Sequence, residues 1–133
     1  MKYIPLIGRF FYAFIFISSG FSTLFKLSAV SKFAASMGVP LPFVSVLIAH
    51  LMILVGGLSI LLGYKVKIGS ILLMIFLVPT TLIIHKFWGI NDAMAAQEQM
   101  INFFKNISMF GGALIFFYFG TGPFSIEKQP ELK

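Results

Sequence analysis

Residues 41–63 read LPFVSVLIAHLMILVGGLSILLG, 23 positions without a formal charge that carry one histidine, His50, and two adjacent glycines, Gly56 and Gly57. A helix rises ~1.5 Å per residue and a bilayer core is ~30 Å thick, so about 20 apolar residues suffice to cross it. The stretch therefore reads as a membrane-spanning helix. The rest of the 133-residue chain has the same character, being 59% hydrophobic and 11% charged with a mean hydropathy of +0.98. That is more apolar surface than one small aqueous domain can hide. The net charge of +6 does not point to nucleic acid, because the ten Lys and Arg stand singly at the ends of apolar runs and form no basic face. The absence of cysteine excludes disulfides, thiolate metal sites, a CxxC redox pair and a cysteine nucleophile.

Working outward, residues 4–25 form an earlier apolar run that contains Arg9 and the small polar cluster Ser18, Ser19, Gly20 and Ser22. Lys2 and this run resemble a signal peptide, but no small-x-small cleavage site follows, and the run is expected to remain as the first span. Between 27 and 38 the residues Ala29, Val30, Phe33, Ala34 and Met37 fall at helical spacing opposite Ser31, Lys32 and Ser36. Ser28 is the expected cap and Gly38 with Pro40 the stop, giving a short interfacial helix. After 41–63, residues 64–67 leave room only for a tight turn into a third span at 68–85. Pro79 lies inside that span and frees a carbonyl one turn earlier, which Thr80 or Thr81 could satisfy. Asp92 is placed to cap a helix with polar first turns that continues into a fourth span at 102–119.

The predicted architecture is all-α: an integral membrane antiparallel four-helix bundle with a short interfacial helix after the first span. Residues 1–122 form this single transmembrane domain and 123–133 a short polar tail. Four spans bring both termini to one side. That side carries Lys2, Arg9, Lys65, Lys67, Lys128 and Lys133, against Lys26, Lys32, Lys86 and Lys105 on the other. The bias places both termini in the cytoplasm and the chain in a bacterial inner membrane.

Five short pieces occur in an order that resembles the DoxX family of small four-span membrane proteins. They are Arg9 with FIFISSGFSTLFK, MGVPLP before the second span, LVGGLSILLG leading into YKVKIG, IIHKFW closing the third span, and FKNISMFGG followed by GTGPFSIE. The resemblance implies the four-helix membrane fold. From a few relatives it also implies an accessory or anchor role in a quinone-linked redox system. Family members commonly carry a glutamate three residues before the glycine pair, where this chain has Ile53. His50, one turn earlier on the same face, is expected to occupy the polar slot this leaves.

Arg9 reads either as a snorkelling anchor or, because the tail returns to its side and brings Ser125 and Glu127 within reach, as the partner of Glu127 in an ion pair. His50 lies near the bilayer midplane and must face other helices. A structural bond to Ser18, Ser19, Ser22 or Thr80 is one reading, and proton exchange or contact with a quinone-like or lipid head is the other. His85, Asn106, Lys26 and Lys105 map to one end of the bundle, where they could converge as a ligand-binding mouth or act as ordinary interfacial flanks. Lys86 maps to that end as well. Gly56, Gly57, Gly111 and Gly112 are expected to let helices pack closely. No catalytic or metal constellation is present, and the two histidines sit at depths unsuited to a haem pair. No intrinsic cofactor is expected, with quinone or lipid as the possible ligand. The expected partners are membrane lipid, a redox-enzyme subunit or a second copy of the chain, with no nucleic acid. A small-solute carrier is a weaker reading, since so few polar positions line no pore.

Overall fold

The computed structural model of the chain describes residues 1–128. Its helices are α1 (Ile4–Leu24), α2 (Leu27–Ser36), α3 (Pro42–Leu62), α4 (Val66–Pro79) and α5 (Ala93–Phe119). A π-helical turn, Thr80–Ile84, extends α4. Ile4–Leu24, Pro42–Leu62, Val66–Ile84 and Ala93–Phe119 are long and apolar enough to cross a membrane. The predicted all-α four-span bundle is the fold. Positions 129–133, including Lys133, lie outside the described residues.

α1 buries Arg9, Ala13, Phe16, Gly20 and Thr23, a stripe at intervals of three and four. Phe11, 71% exposed, and Phe14, 59% exposed, face outward as lipid-covered residues do. α3 has buried residues facing both its neighbours. A Cβ on Gly57 would sit 2.9 Å from Ile17 of α1, and one on Gly56 would sit 2.9 Å from the Gly69 carbonyl of α4. The adjacent glycines thus serve two different helices. On the α1 side Gly20 meets α3 backbone to backbone, since a Cβ there would lie 2.9 Å from the His50 carbonyl oxygen. Gly112 of α5 accommodates the ring of Tyr12, whereas a Cβ on Gly111 would meet nothing within 4 Å. Gly111 is therefore not a close-packing position.

Helix backbones pack in the order α1–α3–α4–α5, with α2 laid on α3. Side chains close the remaining seam between α1 and α5. The Tyr12 hydroxyl donates to the Met109 carbonyl, and its ring lies 5.0 Å from Phe116.

α2 departs from expectation in its orientation. It begins at Leu27, ahead of the expected cap Ser28, and buries Ser31 with Ala34. Phe33, assigned to the inner face, is 49% exposed. Small side chains let α2 lie close on α3, and that outweighs the apolar contrast when the surroundings are themselves apolar. Asp92 caps α5 by accepting from Met94 N at 3.1 Å. In the third span, Thr81 donates to the Leu77 carbonyl, not to the carbonyl freed by Pro79.

The tail after α5 is built into the bundle. Ile126 N and Glu127 N donate to the Leu62 and Gly63 carbonyls at 2.9 and 3.0 Å. Arg9, 0% exposed, donates from Nη1 to Ser125 Oγ at 2.6 Å and from Nη2 to the Phe124 carbonyl at 2.9 Å. A longer Nη1 bond of 3.4 Å reaches the Thr121 carbonyl. Glu127 instead accepts from Lys65 N at 2.7 Å. The expected Arg9–Glu127 ion pair is thus replaced by bonds to neutral oxygens, because the tail turn aims its carbonyls at the guanidinium and its carboxylate at the α3–α4 turn.

Two stability outcomes follow, both read as melting temperature in detergent. Gly20→Ala should cost about 1–3 kcal/mol, since a backbone carbonyl cannot move aside. Gly111→Ala should be neutral or gain up to ~1 kcal/mol of helix propensity. In double-mutant cycles Arg9→Gln should couple to Ser125→Ala by more than ~0.5 kcal/mol and should couple less to Glu127→Gln. The reverse order would restore the carboxylate as the partner.

Candidate functional site

All five helices contribute to one cavity of about 610 Å³ at the end of the bundle where α1 gives way to α2. Its walls include Phe16 and Ser19 of α1, Phe33 and Ala34 of α2, Val46 and Ile53 of α3, Phe76 of α4 and Met109 of α5. Ser19, Phe33, Ile83 and Lys105 line it while exposed, so it can be reached from outside the bundle. The Tyr12 bridge lies beneath it, with the Tyr12 ring 5.4 Å from Phe16.

Four of the predicted ligand-binding residues, His50, His85, Lys105 and Asn106, line this cavity. Lys26 does not; it sits exposed in the α1–α2 connection. Arg9 and Glu127 lie at the opposite end.

His50 and Ile53 share the inner face of α3 and both border the space. The His50 ring packs edge-on to Phe76 at 5.6 Å. Its Nδ1 lies 2.8 Å from the Val46 carbonyl, within its own helix, and not against the expected Ser18, Ser19, Ser22 or Thr80. A carbonyl only accepts, so Nδ1 carries the hydrogen and the neutral ring presents Nε2 as an acceptor. His85 Nδ1 stands 2.9 Å from the side-chain amide of Gln99.

The π-turn is what brings His85 here. Five residues of α-helix rotate a side chain by about 140°, so Thr80 and His85 would diverge. The wider winding brings residues five apart into register, and His85 N bonds the Thr80 carbonyl at 3.2 Å. Pro79, which lacks an amide hydrogen, directly precedes the widened turn.

Asn106 is 4% exposed and lines the cavity, and it is not among the buried polar groups left without a partner, which among the described residues are Arg9 Nε, Ser31 Oγ and Ser70 Oγ. A polar group facing a cavity can be satisfied by what enters it. Lys105 Nζ lies 3.2 Å from Asn102 Oδ1 at the rim. The site thus offers two imidazoles, that of His50 with Nε2 free to accept, one amide able to donate and accept, and a cation at the edge of an apolar chamber. Among the described residues no group of three or more His, Asp or Glu side chains gathers as metal ligands would.

Tyr12 was absent from the predicted site set. The available signal was its position, since the other three tyrosines, Tyr3, Tyr64 and Tyr118, stand at span ends while Tyr12 lies inside one.

Comparison with known proteins gives a match to the DoxX family model over residues 4–86. The inner membrane protein YphA of Escherichia coli K12 is 30% identical over 124 residues, covering 93% of this chain and 88% of that protein. The inner membrane protein YqjF of the same organism is 27% identical over 128 residues, covering 92% and 88% respectively. No solved structure matches the chain.

Asn106 generates a prediction independent of any ligand. Asn106→Leu should melt in detergent at or above the parent temperature, because an apolar side chain replaces a polar one in the wall of an apolar chamber. A drop of several degrees would mean that the amide is already satisfied.

Proposed function

The chain belongs to the DoxX family, an integral membrane family, and on that premise we propose that it holds the head of a quinone or quinol in the cavity beside His50. In this role it serves as an accessory subunit of a quinone-linked redox enzyme. The observation that carries this reading is that the nearly buried Asn106 lines the same apolar chamber as His50 and His85. A volume of about 610 Å³ falls in the range of pockets that enclose a small organic ligand.

The chemistry of the head fits the donor set. A quinol hydroxyl donates to His50 Nε2, and a quinone carbonyl accepts from the Asn106 amide. The isoprenoid tail leaves across Phe33 and Ile83, apolar residues exposed at the rim. The reduction chemistry belongs to the ligand, and the chain supplies binding and orientation. Membrane lipid is the competing occupant, and Lys105 at the rim favours it if the head is a phosphate.

Thermal-shift titration in detergent with a short-chain ubiquinone and a short-chain menaquinone tests the reading. The parent should be stabilised, and His50→Ala and Asn106→Leu should each weaken binding by roughly five- to a hundred-fold, the value of one or two lost hydrogen bonds. Stabilisation by a phospholipid alone, with no response to either quinone, would overturn the quinone assignment.

A further inference from the structure

At the opposite end of the bundle a second cleft of about 280 Å³ lies between the start of α4 and the end of α5. We propose that it is a binding site for the phosphate of an anionic phospholipid. Lys65, Lys67 and Lys128 line it together with Phe117, Tyr118 and Glu127. Among the described residues three lysines and one carboxylate line it, and Glu127 Oε2 is engaged by Lys65 N at 2.7 Å. Among the described residues none of the three ammonium groups has a carboxylate partner.

Two of the cations are held beside rings. Lys67 Nζ lies 5.9 Å from the centroid of Phe117, and Lys65 Nζ lies 5.9 Å from that of Tyr64. Glu127 already meets the start of α4 by accepting from the N-cap amide of Lys65, so the lysine side chains and not the helix end carry the positive charge of the cleft. Basic pockets between transmembrane helices suit lipid phosphates.

The surroundings favour a lipid over a free anion. Ile68, 58% exposed, and Tyr118, 69% exposed, border the cleft and continue into the lipid-facing surface, so an anion seated here has a path for acyl chains. A phosphodiester head with two tails matches both halves of the surface. This site is independent of the quinone reading, since it shares no lining residue with the larger cavity.

Native mass spectrometry of the full chain in a non-ionic detergent, with phosphatidylglycerol or phosphatidylcholine added at equal concentration, tests it. Phosphatidylglycerol adducts should dominate and should fall by roughly five-fold for each lysine removed in Lys65→Gln, Lys67→Gln and Lys128→Gln. The Lys67 side chain makes no hydrogen bond among the described residues, so Lys67→Gln alone keeps the test intact if the multiple variant melts early. The paired change Lys32→Gln and Lys86→Gln alters net charge at the other end and should leave the adducts unchanged. Equal adducts of the two lipids, or equal losses in both variant sets, would overturn the site. Displacement of phosphatidylglycerol by equimolar inorganic phosphate would overturn the lipid assignment in favour of a free anion.

Discussion

Between helices in a bilayer there is no hydrophobic drive, because the lipid is as apolar as the side chains it would replace. Contact must come from backbones that approach closely, and α3 does this on two sides, at Gly57 against α1 and at Gly56 against α4. Gly20 completes the α1 side by meeting the His50 carbonyl. Everything else follows from that hub. With α1 and α4 held to α3, and α5 to α4, the α1–α5 seam is left to long side chains. Tyr12 reaches across it, and above Tyr12 the helices leave the chamber that α2 walls on a further side.

The spans were legible because each is an apolar run of sufficient length, a signal that needs no knowledge of partners. The orientation of α2 was not. Polar and apolar faces predict burial in water, but in lipid a serine such as Ser31 can be the contact residue while Phe33 looks outward. Arg9 shows a similar limit. The return of the tail to its side was readable from the number of spans, but charge complementarity selected Glu127, and a turn of carbonyls does the work instead. The grouping of His85, Lys105 and Asn106 followed from helix ends alone. The link to His50 depended on the depth of the chamber and on a π-turn that no periodicity reveals.

Four of the polar groups inside this bundle divide into two kinds. Arg9 and Tyr12 are tied to oxygens of distant segments and fix the arrangement of the chain. His50 spends its donor on its own helix and keeps its other nitrogen available, and Asn106 lines the same chamber. Groups of the second kind border the cavity. Their presence in an otherwise apolar chamber is the physical distinction between a packing defect and a place for a ligand.

The partners of Arg9 lie 112 to 116 residues further along the chain. During synthesis the first span is made long before the turn that receives its guanidinium, and all the other helices are completed in between. Until then Arg9 must remain near the membrane surface, where water can solvate it. The tail is therefore the closing step of assembly: only when residues 121–125 arrive can the first span settle to its final depth. An unfinished copy therefore differs from a finished one in a single chemical respect at this depth, a guanidinium whose terminal nitrogens have not yet met the oxygens of the tail.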